Sequence, residues 1–198
     1  MWDERYSDEA YAFGTEANDF LRSVLQQLPD GKALCLGDGE GRNGVWLAEE
    51  GLAVTSVDAS SVGLEKARAL AHNRGVAIAT VHADLADFVI ERETWDLVVS
   101  IFCHLPPPLR KRVHRDVVAG LRPGGMFVLE AYTPAQIAYG TGGPPTAELT
   151  MNLEALRREL AGLKLLHAVE LEREVHEGRY HNGHSAVVQV LALKEGAA

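Results

Sequence analysis

Between Thr15 and Leu28 the apolar residues Phe20, Leu21, Val24, Leu25 and Leu28 recur at helical spacing, and Pro29-Asp30-Gly31 closes the stripe. A short apolar run, Ala33 to Leu36, reads as a buried strand, and Asn43 to Glu50 as a helix stopped by Gly51. The alternation then repeats. Leu52 to Val57 is a second strand, followed by Ser60-Ser61 as caps for a helix to Asn73, with Gly75 beyond its end. Val76 to Val81 and Trp95 to Ile101 are the third and fourth strands. Pro106 to Pro108 suits the first turn of a helix reaching Gly120. Arg122-Pro123-Gly124-Gly125 predicts a turn, and Met126 to Tyr132 a fifth strand. Such a pattern predicts an α/β domain built on a mostly parallel sheet with helices on both faces. The ending differs: Asn152 caps a helix carrying Leu153, Leu156 and Leu160, and two strand-like segments follow, Leu163 to Val175 and Ser185 to Leu193. Asn182-Gly183 between them predicts the turn of an antiparallel hairpin.

Composition changes this picture only by exclusion. With 198 residues, 46% of them hydrophobic and 24% charged, the chain suits one soluble globular domain. The formal net charge is −9 and no Lys/Arg run stands out, which argues against a nucleic-acid partner. No uninterrupted apolar run approaches the roughly 18 residues of a membrane span. The polar, acidic opening from Met1 to Glu9 does not read as a secretory signal. Only two cysteines occur, Cys35 and Cys103, both in apolar segments, so a reducing cytoplasm is the expected compartment. A monomer or homodimer is expected.

The chemistry begins at Gly37-Asp38-Gly39-Glu40-Gly41, three alternating glycines placed directly after the first strand. Glycine permits the backbone conformations and close approach that a cofactor-cradling loop needs. Asp58 ends the second strand 21 residues after Gly37, where a carboxylate can accept both hydroxyls of a ribose. Asp84 follows the third strand in the same way, within reach of an adenine edge. The dinucleotide fingerprint is also met on paper by Gly39-Glu40-Gly41-Arg42-Asn43-Gly44. Its first glycine, however, should follow the strand immediately, and Asp38 and Glu40 stand where a pyrophosphate needs positive potential. S-adenosylmethionine has no phosphate and carries a positive sulfonium. Charge therefore favours the methyl donor over NAD.

The run Ala33 to Gly51, Asp58, Ala83-Asp84-Leu85, Trp95 to Ser100 and Leu121-Arg122-Pro123-Gly124-Gly125 resemble successive motifs of class I S-adenosylmethionine-dependent methyltransferases. The opening Trp2-Asp3-Glu4-Arg5-Tyr6, with Tyr11, Gly14 and Gly41-Arg42-Asn43, further resembles the branch that includes the tellurite-resistance methyltransferases. The resemblance implies a Rossmann-like three-layer sandwich whose seven-stranded sheet ends in a reversed strand. It implies methyl transfer from S-adenosylmethionine to a small-molecule acceptor, releasing S-adenosylhomocysteine. Residues 1–28 would form an N-terminal helix or lid, 33–132 the cofactor core, and 133–198 the acceptor side. Gly37, Asp38, Gly39, Gly41 and Asn43 would hold the amino-acid end of the cofactor, Asp58 and Ala59 the ribose, and Asp84, Leu85 and Ile101 the adenine. The family usually has Asp or Glu where Cys35 stands, so Asp38 is expected to take over that carboxylate's role. The alternatives are an NAD-dependent oxidoreductase and a non-catalytic binder of the same cofactor.

Methyl transfer needs alignment and exclusion of water more than any fixed catalytic group. The segment Ser100 to Pro107 lacks the patterns of nucleobase methylation, and His104 within it is the candidate general base. Tyr11, Phe102, Tyr132, Tyr139 and His181 are the candidate acceptor-side residues, with Trp2, Tyr6 and Phe13 as further parts of an aromatic lid. Tyr180-His181-Asn182-Gly183-His184 has too few companion ligands for a metal site, and none is expected.

Overall fold

A computed structural model describes residues 2–196. Five parallel strands, β1 (Lys32–Leu36), β2 (Ala53–Asp58), β3 (Ala79–His82), β4 (Trp95–Ile101) and β5 (Leu121–Tyr132), are followed by the hairpin β6 (Lys164–Glu177) and β7 (His181–Leu193). The sheet order is β3-β2-β1-β4-β5-β7-β6, with β7 antiparallel to both neighbours. This is the Rossmann-like class I arrangement, with its reversed strand inserted next to β5.

Side chains alternate across β1 and divide the core in two. Leu34 and Leu36 join Val98, Phe127 and Leu129 beneath α5 (Pro107–Gly120) and α6 (Leu153–Glu159). Ala33 and Cys35 join Leu97, Val99 and Val128 beneath α2 (Asp19–Ser23) and α3 (Arg42–Glu49). Both faces are covered, so the central strands read as continuous apolar runs. Two short or peripheral helices matter for the site: α1 (Trp2–Tyr6) and α4 (Ser61–Asn73), the latter capped by Ser60 as its sequence predicts. No helix among the described residues is long and apolar enough to cross a membrane.

Local differences from the sequence pattern have identifiable causes. The helix expected from Thr15 begins only after Asn18, whose side chain accepts from the Leu21 N–H at 3.0 Å and sets the start. It gives way to a single 3-10 turn at Leu25–Gln27. The Arg122–Gly125 turn is instead the irregular beginning of β5, tied to Lys194 through Gly124 and Gly125. The β6–β7 turn is Gly178-Arg179-Tyr180, and Asn182-Gly183 lies within β7, paired with His176 and Val175. Contacts from the N-terminal segment decide this: the Arg179 N–H donates to the Ala12 carbonyl at 2.9 Å, and Gly178 packs on the Phe13 backbone.

Gly178 (φ +74°) would place a Cβ 2.5 Å from Phe13 backbone atoms, whereas Gly75 (φ +72°) faces open space. Both substitutions to Ala carry the left-handed penalty of roughly 1–2 kcal/mol. Gly178→Ala is expected to cost more than Gly75→Ala in urea denaturation; equal losses would discount the packing between turn and N-terminal segment.

Candidate active site

The carboxyl ends of β1, β2, β3 and β4 open into one cavity of about 800 Å³. Gly37, Asp38, Asn43, Asp58, Ala59, Asp84, Leu85 and Ile101, all expected at a cofactor site, line it. Gly39 and Gly41 do not; they shape the loop from behind. Gly39 (φ +55°) leaves room for the Tyr6 hydroxyl, which an added Cβ would approach to 2.5 Å. Gly41 (φ +84°) starts α3 and lies against Ala67 of α4, again 2.5 Å from a hypothetical Cβ.

The loop's N–H groups are largely used within the protein. Gly37 and Asp38 donate to the Val57 carbonyl, Gly39 donates to Asp58 Oδ2 at 2.8 Å, and Gly41 donates to the Asp38 carbonyl. An anion-binding cradle would need those donors free. Instead the loop presents buried carboxylates, which suits a cationic, phosphate-free cofactor.

Asp38 folds back beneath the loop. Its carboxylate accepts from Ser56 Oγ at 2.6 Å and from the Gly44 N–H at 3.3 Å, and burial pushes its pKa up to about 6. Ser56 is the register partner of Cys35, so the Asp38 carboxylate reaches the neighbourhood of the position where Cys35 replaces an acid. Gly44 makes this possible, because a Cβ there would lie 2.4 Å from Asp38 Oδ2. Asp58 is held by the Gly39 and Ser60 N–H groups, and burial raises its pKa as well.

The N-terminal segment straps across the cavity. Asp3 binds the Ser60 hydroxyl, and Lys66 Nζ donates to the carbonyls of Asp8 (2.9 Å) and Ala10 (2.8 Å). Glu40, paired with Lys66, accepts from the Ala12 N–H at 2.7 Å. Trp2, Arg5, Tyr6 and Phe13 thereby reach the cavity wall. Composition alone gives no signal for Arg5, Glu40 or Lys66, since each is an ordinary surface residue type.

Among the acceptor-side candidates, Phe102 and His181 line the cavity and meet edge to face, ring centroids 4.6 Å apart. Phe102 sits in the left-handed region (φ +51°), a strained conformation that turns its ring inward at the end of β4. Tyr132 lies one layer behind, stacked on Phe102 at 4.5 Å. Tyr11 and Tyr139 are elsewhere, which corrects their expected placement. Tyr11 donates to the Lys66 carbonyl and packs with Val45 and Leu70, and Tyr139 donates to Glu172 at 2.6 Å on the outer face of the hairpin. His184 also faces outward, onto Glu172 and Glu174.

His104 lines the cavity but is ill suited to be a base. Its Nδ1–H donates to the Leu149 carbonyl at 3.0 Å, and Nε2 accepts from the Tyr132 N–H at 3.4 Å. Burial lowers its pKa to about 4, so the ring is neutral and has both nitrogens engaged. In this arrangement the His104 ring forms part of the cavity wall.

A buried ionic network, absent from the sequence reading, supports the loop from the hairpin side. Glu130 of β5 accepts from Arg173 Nε (2.9 Å), Gln189 Nε2 (2.7 Å) and Asn18 Nδ2. Glu177 accepts from Asn18 (2.8 Å), Arg173 (3.0 Å) and Arg42. Asn43 closes the circuit by accepting from the Asn18 N–H at 2.9 Å.

Residues 33–125 match the family model described as "Methyltransferase domain". A curated relative, the 2-heptyl-1-hydroxyquinolin-4(1H)-one methyltransferase of Mycobacteroides abscessus, is 24% identical over 161 residues, covering 75% of this chain and 71% of its own. Residues 33–125 thus carry a methyltransferase domain. The fold of the chain is similar to that of TehB from Haemophilus influenzae (TM-score 0.75, 19% identity, 98% of this chain and 66% of that one). It is similar also to the N-methyltransferase NodS of Bradyrhizobium japonicum solved with S-adenosyl-L-homocysteine (TM-score 0.67, 17% identity, 98% and 87% covered). S-adenosylmethionine is the cofactor, and the NAD alternative is not favoured.

Proposed function

We propose that this cavity carries both halves of a methyl transfer to a small, largely apolar acceptor in the cytoplasm. The observation that carries the reading is the convergence of Asp38, Asp58 and Asp84, from three consecutive strand ends, on one cavity. Asp58 accepts from the ribose hydroxyls, Asp84 and Leu85 hold the adenine edge, and Ile101 packs on its face. Gly37, Asp38 and Asn43 hold the amino-acid end, with Asp38 serving as the carboxylate that Cys35 lacks. Bound there, the cofactor supplies an electrophilic methyl group on a positive sulfonium.

The remaining wall is built for a flat apolar molecule. Phe13, Phe102, Leu105, Leu109, Pro144 and Leu149 surround it, and the strap and the Gly142-Gly143 loop border its mouth. The curated relative acts, by its name, on an alkylated hydroxyquinolone, an acceptor of the same apolar character. Asp58→Ala is expected to weaken S-adenosylhomocysteine binding by about 1–3 kcal/mol through lost charge-assisted hydrogen bonds. Calorimetry of the folded variant checks this; unchanged affinity would move the ribose elsewhere.

A further inference from the structure

The groups lining the cavity that could accept a proton differ in how far the protein already engages them. Four carboxylates line the cavity, and each already accepts at least one hydrogen bond from the protein. Asp38 is bonded to Ser56 and Gly44, and Asp58 to Gly39 and Ser60. Glu40 is bonded to Ala12 and paired with Lys66, and Asp84 is bonded to the Ala86 N–H. His104 uses both ring nitrogens. His181 also lines the cavity; its Nδ1 is buried without a hydrogen-bond partner, and its ring packs near those of Phe13, Phe102 and Tyr132. Burial and the nearby Arg42 and Arg5 guanidiniums drive its basicity well down. Cys103 is pushed up to about 12, and burial raises Tyr6 further.

The positive charges differ from one another. Arg42 is neutralised by Glu177. Arg5 also lines the cavity, yet has no carboxylate partner among the described residues. Arg5 is exposed at the cavity mouth, its guanidinium carbon 5.4 Å from the Trp2 ring centroid and 4.7 Å from that of Tyr180, with no side-chain hydrogen bond among the described residues.

We infer that this methyltransferase takes its acceptor as an anion: a flat apolar molecule with an acidic hydroxyl, ionised before it binds, whose oxygen is paired with Arg5. The inference rests on the methyl-transfer reading of the cavity. The hydroxyl proton leaves to water outside the site, so no base is needed. An oxygen lone pair then forms the bond to the methyl carbon while the carbon–sulfur bond breaks, its electron pair passing to sulfur. One positive and one negative charge become a neutral ether and a neutral thioether, a change that a water-poor cavity favours. A basic amine would arrive protonated and meet the positive charge of Arg5.

The test is calorimetry on the full chain saturated with S-adenosylhomocysteine. The probes are 2-heptyl-1-hydroxyquinolin-4(1H)-one, above the pH at which it ionises, and an aminoquinoline with the same alkyl chain, below the pH at which it loses its proton. The acidic probe is expected to bind at least about tenfold more tightly. Arg5→Gln is expected to abolish that preference and Arg5→Lys to retain most of it, with S-adenosylhomocysteine affinity unchanged in both. Equal binding of the two probes, failure of both to bind, or a preference that survives in Arg5→Gln would overturn the inference. Failure of S-adenosylhomocysteine to bind the wild-type chain would instead overturn the cofactor reading beneath it.

Discussion

Glu130→Ala is expected to remove about 3–5 kcal/mol of stability, the cost of leaving a buried charge without its partner. Glu130 is fully buried and is the shared acceptor for Arg173, Gln189 and Asn18, groups from three separate segments. Its removal leaves Arg173 with Glu177 and a distant Asp19, and leaves the Gln189 amide without that acceptor. In a chain of this size each kcal/mol corresponds to roughly 2–4 °C in Tm. The loss should also reach the cofactor, because Asn18 links Glu130 to Asn43 and, through Glu177, to Arg42 on the cavity wall. Chemical denaturation and S-adenosylhomocysteine titration would measure both effects. A loss below about 1 kcal/mol would place this network with ion pairs that add nothing measurable. The double change Glu130→Leu/Arg173→Leu should recover part of the stability, since apolar replacement of a buried pair is often neutral.

The second large effect is acid sensitivity. The folded pKa of His104, about 4, lies below its ordinary value of 6.5, so between those values the unfolded chain binds more protons. The contribution of His104 is therefore fully present above pH 6.5 and lost as pH falls toward 4, by up to about 3 kcal/mol. His181 is shifted in the same direction. Asp38 acts oppositely: its pKa is raised from 3.8 to about 6, so its contribution is complete below 3.8 and lost as pH rises through 6. The two act in opposite directions in wild-type protein, so its overall pH profile does not report either alone. Comparing wild type with His104→Gln isolates the histidine. The stability gap between them should shrink by up to about 3 kcal/mol from pH 7 to pH 4, and a gap independent of pH would refute a neutral, desolvated His104.

Asp38 also ties this titration to binding. The sulfonium of S-adenosylmethionine favours its ionised form, so binding of S-adenosylmethionine near pH 6 should release a proton, readable as a buffer-dependent heat that S-adenosylhomocysteine, which lacks that charge, gives more weakly.

The sequence by itself determined what depends on neighbours along the chain. Strand and helix order followed from periodicity and caps: Ser60 and Asn152 start their helices as expected, because a cap bonds only three residues away. The convergence of Gly37, Asp58 and Asp84 on one cavity was equally legible, since each stands at the end of a strand, and parallel strands bring their ends together. Only the tertiary structure decided which residues at matching local positions face inward. Tyr11 and Tyr139 look as suitable as Phe13 and His181 until the strap and the hairpin set their directions. The hairpin turn moved to Gly178 because Ala12 and Phe13 supply contacts more than 160 positions away. Glu130, Arg173 and Glu177 meet Asn18 and Arg42 for the same reason. A buried charge is stable only where distant segments bring its partners, and no local pattern records that requirement.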